Sequence, residues 1–526
     1  MGPKDPQKLY KETHLLVLSM ADITIDEMAV FCKKKGFVYA SGEIYGGLSG
    51  FFDYGPYGVE LKNNIKADWW KFHVQQRDDV VGMDGSIITN PKTWVASGHV
   101  ASFEDILVEC VKCKTRFRGD HLIEDTLKIS AEGLKKDDIS KLIKQNNIKC
   151  PKCKGDLEEP KQFNLMFETN VGPVKSDSSK AYLRPETAQL IFNNFKLVQE
   201  NARLKLPFGI AQIGKAFRNE ISPRDFLFRC REFEQMEIEY FVDPKKTNEC
   251  PYIDEVMSHK INVYSAEMQQ KKQKHKEMTI KEFLKEKIIK TQWHAYWLAV
   301  EHRWFISLGV AAEKFRIRQH LPDEKSHYAA DTWDLEYEFP FGWKELQGMA
   351  NRSDFDLKQH ILHSKKDLSI FDEETKTKIV PHVIAEPSQG VDRAFLVFMF
   401  NAYTQDPKNK DRDWIVLKLH PKLAPIKVGV FPLVNKLEDK AEEVYKQIRK
   451  DLPVTYDRSG AIGRRYARAD ELGIPYCITI DFDTLNDKAV TIRDRDTTEQ
   501  KRVKIAELKS ILSKLINSEI KFKDIK

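Results

Sequence analysis

The most restrictive feature of the sequence is the segment at residues 228–241, FRCREFEQMEIEYF, in which two kinds of side chain alternate. Alternation with a period of two predicts a β-strand with one packed face and a second face that carries Arg229, Phe233 and Glu237. In an extended strand the first and last of these lie about 26 Å apart, with the aromatic ring between them. A ligand with an anionic and a cationic part could lie along such a face. An exposed sheet face with charge pairs is the alternative.

A second strand is predicted just before this one, at residues 217–220 (FRNE), and a loop containing Pro223 and Asp225 separates the two. If the strands form a hairpin, Arg218 and Arg229 converge on one surface. Planar guanidinium groups bind phosphoryl oxygens through paired hydrogen bonds, so this arrangement favours phosphate recognition. The sequence has neither a P-loop nor a glycine-rich dinucleotide motif, so the usual nucleotide-binding folds are not indicated.

Four of the eight cysteines form two Cys-x-x-Cys pairs, separated by 36 residues that are rich in charge and that we expect to be helical or linker sequence. Two such pairs complete a tetrahedral site, and we predict structural zinc bound by Cys110, Cys113, Cys150 and Cys153. Redox pairs or free thiols are the alternative. The others are expected to be small buried residues: Cys32, Cys230, Cys250 and Cys477. This cysteine usage differs from a secretory disulfide framework and predicts a reducing compartment, the cytoplasm.

A chain of 526 residues with 41% hydrophobic residues can bury several cores, and its length suggests about three domains. The apolar runs are too short for a membrane span. The run at residues 15–21 lacks the basic flank of a signal peptide. We therefore expect no membrane partner.

Local patterns predict further elements. A capping box at Thr24 and Glu27 opens a helix that ends at Gly36, and the glycine-rich stretch at 42–58 suits tight turns or close approach to a ligand. We also predict a helix over 59–76 with Leu61, Ile65, Trp69 and Phe72 in its apolar stripe, a strand over 86–91, a mostly helical segment over 252–310, and strands over 331–346 and 381–386.

The last fifth of the chain alternates strands and helices, which predicts an α/β domain. Strands are expected at 427–431, 454–456 and 476–481, and helices at 436–450 and 459–472. Residues 426–526 contain 21 Lys and Arg against 17 Asp and Glu, a surplus of +4 out of the chain's +6. A polyanion-binding module and an ordinary lysine-rich solvated face both fit this surplus.

Taken in order, these motifs resemble the class II aminoacyl-tRNA synthetases, and within them the glycyl-tRNA synthetases. Residues 217–233, with the wording NEISPR, are similar to motif 2, and residues 386–393 (EPSQGVDR) are similar to motif 3. The helix at 59–76 and the strand ended by Pro91 resemble motif 1, the dimer-forming element. Further similar stretches are YLRPETAQ at 182–189, GWKELQGMANR at 342–352 and GAIGRRYAR at 460–468.

The resemblance implies an α/β and α+β multidomain fold. A class II antiparallel sheet flanked by helices would form the catalytic domain, and a C-terminal α/β domain would bind the anticodon. The implied parts are an N-terminal tail at 1–21, a catalytic domain at 22–425 with a zinc-ribbon-like four-cysteine insertion at 106–160 and a helical insertion at 244–310, and an anticodon-binding domain at 426–526.

The resemblance also implies site residues. Arg218, Glu220 and Arg393 would be catalytic, with Arg218 on the α-phosphate and Arg393 on the γ-phosphate of ATP. Phe233 would stack on adenine, and Glu345 would lie at the ATP and Mg²⁺ site. The full ATP-binding set would be Arg218, Asn219, Glu220, Arg229, Cys230, Phe233, Glu345, Leu346 and Arg393. The glycine-binding set would be Glu186, Glu237, Arg352, Glu386, Pro387 and Ser388.

The implied activity is ATP-dependent attachment of glycine to tRNA(Gly) through a glycyl-adenylate, by a homodimer that uses Mg²⁺ with ATP. A synthetase for threonine, proline or histidine is one alternative, although its pocket should not carry this set of carboxylates. A non-catalytic binding protein with the same fold is another, but it should lack one or more of Arg218, Arg229, Glu345 and Arg393, which are all present. Asp392, Phe226 and Phe228 depart from the residues usual at their positions.

Overall fold

The computed structural model describes residues 23–129, 131, 133–322, 324, 329–372, 375–405 and 412–525. The predicted N-terminal tail at 1–21 therefore lies outside the described residues. The chain divides into two compact units. The larger unit comprises Tyr39–Asp53 and Ile65–Leu396, and the smaller unit comprises Met1–Val38, Tyr54–Asn64 and Val397–Lys526. The predicted domain boundary at residue 425 falls within the smaller unit and stays a prediction.

A nine-stranded sheet forms the centre of the larger unit. In spatial order its strands are Lys276–Thr279, Lys260–Tyr264, Phe315–Gln319, Asp331–Phe339, Gly342–Asn351, His382–Gly390, Glu232–Val242, Phe208–Phe217 and Val80–Gly82. Neighbouring strands run antiparallel, except for the second with the third and the eighth with the ninth. The prediction of strands over 331–346 is confirmed by the antiparallel pair Asp331–Phe339 and Gly342–Asn351. The strand predicted at 381–386 is confirmed as part of the longer strand His382–Gly390. The predicted antiparallel architecture is also confirmed.

Aromatic layers hold helices against both faces of this sheet. The ring of Tyr240 lies 4.9 Å from that of Trp293 on one face, and the ring of Phe241 lies 4.5 Å from that of Phe195 on the other. Consecutive strand residues point to opposite faces, so one strand packs against both layers. The helices that carry these partners are Gln292–Ser307 and Ala188–Asn201.

The two strands predicted around the loop at residues 221–228 form the expected hairpin, but with other bounds. The first strand, predicted over 217–220, runs from Phe208 and ends at Phe217, and the second begins at Glu232 rather than at 228. Arg229 precedes the second strand and forms an isolated bridge with Arg224, so the prediction that Arg229 lies on the same regular strand as Glu237 is wrong. Both faces of the strand are buried from Gln235 onward, so the prediction of a single packed face is also wrong.

The helix predicted over residues 59–76 begins earlier and changes type. An α-helix covers Pro56–Trp70 and continues as a π-helical turn over Lys71–Gln75. The wider turn shifts the helical repeat, so His73 is buried while Phe72, predicted in the apolar stripe, is half-buried. The strand predicted over 86–91 is shorter, at Ile88–Thr89, because Asn90 caps a new helix.

The cysteine-bearing insertion is a small folded subdomain. Two helices lie between the cysteine pairs, so the helical alternative is confirmed and the linker alternative is wrong. Its sheet consists of Arg116–Arg118, Glu104–Glu109 and Lys161–Asn164, and its helices are Gly119–Leu127 and Lys136–Gln145. Val108, Ile123 and Ile139 form part of a separate apolar core.

The segment at residues 252–310 is less helical than predicted. It contributes the two strands Lys260–Tyr264 and Lys276–Thr279 to one edge of the nine-stranded sheet. Its helices are Ala266–Gln270, Ile280–Lys285 and Gln292–Ser307. The insertion implied at 244–310 is therefore a mixed element, because its short strands pair with the main sheet and do not pack as helices.

Shorter elements complete the larger unit. Ile88–Thr89, Lys180–Leu183 and Glu168–Asn170 form a three-stranded sheet, and Ile370–Asp372 pairs with Thr377–Ile379. Val38–Ala40 pairs with Phe52–Tyr54. The remaining α-helices near the site are Pro91–Ala96, His99–Ser102, Phe355–Ser364 and Val391–Ala402.

The smaller unit confirms the predicted α/β alternation. Its five-stranded sheet has the order Val454–Tyr456, Val428–Pro432, Tyr476–Ile480, Ala489–Asp494 and Gln500–Lys504. Its helices are Ile25–Lys35, Glu438–Ile448, Ile462–Glu471, Thr484–Asp487 and Leu508–Ile516. A short pair, Tyr403–Thr404 and Val416–Leu417, lies in the same unit. The capping box at Thr24 and the left-handed Gly36 at the end of the first helix are as predicted.

In the part of the chain that the structure describes, no helix is long and apolar enough to cross a membrane.

Candidate active site

The segment that connects the two hairpin strands contains an ion pair between Arg229 and Glu220. Nε of Arg229 lies 2.8 Å from Oε2 of Glu220, whose side chain is buried. The backbone oxygen of Glu220 accepts a hydrogen bond of 2.9 Å from Arg231, which also donates to the backbone oxygen of Ser49 at 2.9 Å. Arg231 thus ties the glycine-rich loop to the hairpin, while Glu220 holds Arg229 in place.

The connecting loop is built on aromatic contacts. Asp225 and Phe226 adopt left-handed backbone conformations, with φ of 60° and 52°, and a 3-10 turn follows. The ring of Phe226 lies edge-on to Phe52 at 5.2 Å, and Phe228 lies edge-on to Phe339 at 5.8 Å. These partners explain the two phenylalanines, because large rings anchor a loop that would otherwise be exposed.

Arg393 lies in the first turn of the helix Val391–Ala402, and its Nε donates to the backbone oxygen of Phe228 at 3.4 Å. Its Nη1 is 3.1 Å from Oε1 of Glu345, and the same atom donates to the backbone oxygen of Glu345 at 2.9 Å. Its guanidinium lies 4.6 Å from the ring centre of Phe228. The charge of Arg393 lowers the pKa of Glu345. The preceding Asp392 accepts a 2.9 Å hydrogen bond from the backbone of Glu234, which joins the helix start to the hairpin.

Arg218 lies between two aromatic rings and close to two carboxylates. Its guanidinium carbon is 5.4 Å from the ring centres of both Phe103 and Phe233. Its charge contributes to lowering the pKa of Glu186 and of Glu345. Arg218 is therefore near both groups of implied ligands, those for ATP and those for glycine.

A buried pocket next to Arg218 collects carboxylates from different elements. Glu237 accepts a hydrogen bond from the hydroxyl of Thr187. Glu186 is 3.3 Å from Nε2 of His99 and accepts a 3.1 Å hydrogen bond from Gln189. Carboxylate oxygens of Glu237, Glu239 and Glu386 all lie within 4.8 Å of one another.

The buried Arg352 binds two of the carboxylates in and beside this pocket. Arg352, 1% exposed, donates at 2.7 Å to Oε1 of Glu386 and binds both oxygens of Asp356 at 2.7 and 2.8 Å. Ser388 is on the same strand as Glu386, and its hydroxyl accepts a 3.1 Å hydrogen bond from Gln235. The paired strand places Ser388 directly opposite Glu237.

The electrostatics of the pocket differ from group to group. Burial, together with the charges of Glu237 and Glu186, raises the pKa of Glu386 to about 8 despite Arg352. Burial and the charge of Glu186 likewise raise the pKa of Glu237. Burial acts against Glu186 as well, but His99 and the two arginines outweigh it and lower the pKa of that carboxyl. A cationic ligand would favour the ionised forms of the two raised groups.

The sequence-predicted glycine set is brought together by these contacts, and most of the ATP set lies beside it. Three members are buried residues whose side chains are not exposed to a ligand: Cys230, Leu346 and Pro387. Asn219 donates its backbone N–H to Leu165 at 2.7 Å.

Sequence reasoning missed several residues of the pocket. Thr187 and Gln189 lie within the stretch at 182–189, but their roles as donors to carboxylates depend on folding. Asp356 lies in the first turn of the helix Phe355–Ser364, and Arg352 reaches it from outside that helix, a contact that the sequence does not indicate. His99 and Glu239 carry no local signal of their pocket position.

The four predicted cysteines lie together in the insertion. Their Sγ atoms are all within 4.8 Å of one another, with Cys110 3.5 Å from Cys153 and Cys113 3.7 Å from Cys150. A hydrogen bond with Thr115 lowers the pKa of the Cys113 thiol to about 6. Four sulfurs at these distances, with one thiol close to ionisation, fit a tetrahedral thiolate site. All eight cysteines are free thiols.

A cleft of about 400 Å³ opens between the glycine-rich loop and the hairpin loop. Gly46, Gly50, Phe52 and Arg224 are among its lining residues, together with Arg229 of the ion pair described above. A side chain at Gly50 would collide with Pro223, since its Cβ would lie 2.8 Å from that ring. Glycine is therefore required there for the two loops to meet.

The arrangement combines an anion site and a cation site. Arg218, Arg229 and Arg393 offer planar donors for phosphoryl oxygens, and the buried carboxylates attract an ammonium group. A molecule that carries a carboxylate beside its ammonium would place that carboxylate toward the arginines. Such a site can align a small amino acid with a nucleotide phosphate.

Comparison with known families and proteins agrees with this geometry. Residues 167–399 match the tRNA synthetase class II core domain (G, H, P, S and T), and residues 427–515 match the anticodon binding domain. The chain is 45% identical over 499 residues to glycine–tRNA ligase of Bacillus thuringiensis, which covers 94% of this chain and 99% of that protein. It is 46% identical over 499 residues to the same enzyme of Geobacillus thermodenitrificans, covering 94% and 98%.

The fold also resembles that of a solved relative. The structure of prolyl-tRNA synthetase from Cryptosporidium parvum, complexed with halofuginone and AMPPNP, aligns with a TM-score of 0.56 at 14% identity. The alignment covers 94% of this chain and 75% of that one. At such identity the likeness concerns the fold alone. The sequence matches carry further, and the chain belongs to the glycine–tRNA ligase family of class II aminoacyl-tRNA synthetases.

Proposed function

We propose that this chain catalyses the ATP-dependent attachment of glycine to tRNA(Gly) through a glycyl-adenylate, with release of AMP and pyrophosphate. The observation that carries the proposal is the buried carboxylate pocket of Glu186, Glu237 and Glu386 beside Arg218. A carboxylate pocket next to phosphate-binding arginines suits a substrate that must present its carboxylate to a nucleotide.

Glycine recognition would rest on charge and on lack of space. The carboxylates bind the ammonium, and Ser388 together with Arg352 completes the polar lining. Pro387, between Glu386 and Ser388 on the strand, points its ring to the opposite face and would contribute through its backbone. A larger amino acid would clash with this lining, so exclusion of side chains supplies the selectivity.

ATP would bind along the hairpin. Arg218 would hold the α-phosphate, with Glu220 and Arg229 contacting the nucleotide as the pair already formed at 2.8 Å. Phe233 would stack on adenine, which requires its ring to exchange the guanidinium of Arg218 for the base. Asn219, Cys230 and Leu346 would contribute mainly through their backbones.

Arg393 and Glu345 would form the far end of the ATP site. Arg393 would hold the γ-phosphate, because a guanidinium in the first turn of a helix adds its charge to the helix N-terminus. Glu345 is partly exposed and offers the carboxylate oxygen that a hard divalent cation prefers. When bound with ATP, Mg²⁺ neutralises part of the phosphate charge.

The chemistry follows from position and charge. The glycine carboxylate attacks the α-phosphorus and pyrophosphate leaves; then a hydroxyl of the tRNA 3′ terminus attacks the mixed anhydride and AMP leaves. Arg218 and Arg393 stabilise charge on the phosphoryl oxygens, and the carboxylate pocket aligns the nucleophile. No side-chain nucleophile is needed for either step.

The four-cysteine site would hold structural zinc. Cys110, Cys113, Cys150 and Cys153 supply all four sulfur ligands, which leaves no open position for chemistry. The metal would stabilise the insertion, whose own apolar core is small.

The smaller unit would bind the tRNA anticodon. The large apolar side chains that are most exposed at its parallel strand ends are Leu433, Val434, Phe482 and Leu485. Unpaired bases stack on such side chains, and neighbouring arginines such as Arg464 would meet the phosphates. Binding of the tRNA phosphates would explain the surplus of +4 in residues 426–526.

We further propose a homodimer in a reducing, cytoplasmic environment. The helix Pro56–Trp70 resembles the dimer-forming motif 1, and Ile44 and Tyr45 of the glycine-rich loop are 87% and 89% exposed. Exposed apolar side chains of this kind suit burial by a partner subunit. Sedimentation of the wild type and of Tyr45→Asp would test this, since the variant should shift toward monomer.

Aminoacylation with labelled glycine and a tRNA(Gly) transcript tests the proposal as a whole. Charging that depends on ATP supports it. Charging of the tRNA with a different amino acid would refute the proposal. A lack of any charging, with a tRNA transcript that is an active substrate, would also refute it.

A further inference from the structure

Glu239 is a buried carboxylate that the proposed reaction does not use. It lies on the strand Glu232–Val242, two residues after Glu237, and its side chain is 0% exposed. Period-two alternation places it on the same face as Glu237. Among the described residues, neither of its carboxylate oxygens has a hydrogen-bond partner.

The other carboxylates of the pocket each have a donor. Thr187 donates to Glu237, Arg352 donates to Glu386 at 2.7 Å, and Gln189 donates to Glu186. Glu239 has none of these, although its carboxylate lies within 4.8 Å of oxygens of Glu237 and Glu386.

The groups that face Glu239 leave it short of positive charge. Glu237, Glu386 and Asp356 are acidic and raise the pKa of Glu239, and the charge of Arg352 opposes them. That arginine already binds Glu386 and Asp356. His360, on the adjacent helix, bonds to Gln189 and not to a carboxylate.

Ionising every carboxylate of such a cluster is unfavourable. Buried like charges at this separation repel each other, and neither solvent nor a further cation offsets the repulsion. One proton shared between two carboxyl groups removes the repulsion and creates a hydrogen bond. The proton belongs on the member that lacks any other donor.

We propose that Glu239 is a neutral carboxylic acid that donates its O–H to the carboxylate of Glu386 and so positions Glu386 for the glycine ammonium. Glu239 is thus a positioning residue for the proposed reaction, on which this inference rests. It supports Glu386 through one hydrogen bond, as Arg352 does through another.

A proton count follows from this arrangement. Burial and the charge of Glu386 hold the pKa of Glu239 well above its ordinary value, and burial raises that of Glu386 to about 8. Glycine binding then draws protons into solvent from Glu386 and Glu237, the two groups of raised pKa in the proposed glycine set, while Glu239 keeps its own. Log KM for glycine should therefore fall as pH rises, by about one unit per pH unit for each proton released, and this slope should not depend on a titratable group at residue 239.

The test measures glycine KM in pyrophosphate exchange between about pH 6 and pH 7.5 for the wild type, Glu239→Gln and Glu239→Leu. The amide of Gln is neutral and still donates, so Glu239→Gln should keep KM within about threefold and keep the wild-type slope. Glu239→Leu keeps apolar volume but removes the donor, so its glycine KM should rise about tenfold with little change in the KM for ATP. Glu277→Gln, an exposed carboxylate paired with Lys260, is the matched control.

A slope that falls by about one unit per pH unit in Glu239→Gln would overturn the proposal, because Glu239 would then ionise on binding. An unchanged KM in Glu239→Leu would also overturn it, since no hydrogen bond would be lost. If Glu239→Leu fails to fold, infrared difference spectra decide: the wild type minus Glu239→Gln must show a protonated carboxylic C=O stretch, and its absence refutes the neutral acid. Wild-type protein without glycine-dependent exchange would instead count against the proposed function.

Discussion

Arg352 donates a hydrogen bond of 2.7 Å to Glu386 and also donates to both carboxylate oxygens of Asp356. One guanidinium therefore fixes a pocket wall and a helix start together. Because all three groups are almost entirely buried, this contact couples the stability of the larger unit to the shape of the glycine pocket.

Replacement of Arg352 by Gln should damage both properties. The substitution leaves Glu386 and Asp356 without their buried cation, and loss of one partner of such a pair costs about 3–5 kcal/mol. We expect a lower midpoint of thermal unfolding and a raised glycine KM in pyrophosphate exchange. Lys358→Gln is the control, because it breaks an exposed ion pair with Asp354 on the same helix and should change both values little. Equal behaviour of the two variants would contradict the role given to Arg352.

Glu386 should make stability depend on pH. Its folded pKa of about 8 lies above the ordinary value of 4.5, so between these values the folded state holds a proton that the unfolded chain has released. Stability contributed by this proton is present at low pH and is lost as pH rises toward 8, by up to about 1.4 kcal/mol per pH unit. Glu386→Gln should flatten the fall in unfolding midpoint across this window. An identical pH dependence in the variant would show that Glu386 does not titrate there.

The four-cysteine site should hold about one zinc ion per chain. Metal analysis of the purified protein should find it, and Cys110→Ser should lose most of it because three sulfurs bind less well than four. Cys250→Ser removes a buried cysteine outside the cluster and should keep the full content. Zinc removal should also lower the unfolding midpoint of the insertion, where Cys110 forms a bridge with Leu157, which packs against the small core. Full metal content in Cys110→Ser would refute the site.

Phe482 should contribute to tRNA binding without affecting the first half of the reaction. Its ring is 53% exposed, and loss of one stacked base costs about 1–3 kcal/mol. Phe482→Ala should therefore raise the KM for tRNA(Gly) by about fivefold or more and leave pyrophosphate exchange unchanged. Phe371→Ala, which removes a ring 55% exposed in the larger unit, is the matched control. Equal effects of both variants on tRNA charging would argue against a specific contact.

Local patterns predicted the parts of the fold that depend on neighbours in sequence. The capping box at Thr24, the hairpin around the loop at 221–228 and the α/β order after residue 426 each follow from short-range rules. The cysteine pairs are close in space because each knuckle is local, and only the meeting of the two knuckles is long-range.

Other features could not be read from the sequence because they depend on distant contacts. The strands Lys260–Tyr264 and Lys276–Thr279 are short, and they form because an edge of the main sheet is available to them. The π-helical turn after Trp70 buries His73 against Glu301, a residue far along the chain. Glu239 shares a strand face with Glu237, but its burial without a hydrogen-bond donor among the described residues is a property of the folded pocket.

The most direct test of the account is exchange of labelled pyrophosphate into ATP by the purified chain, measured with each of the twenty amino acids in turn. Glycine should support exchange and the others should not. Arg218→Ala should reduce the rate with glycine by about two to four decades, as expected if the clamp supplies roughly 3 to 5 kcal/mol, while Arg116→Ala, an exposed arginine of the insertion, should not. Exchange driven by another amino acid, or absent with glycine, would contradict the assignment of the pocket.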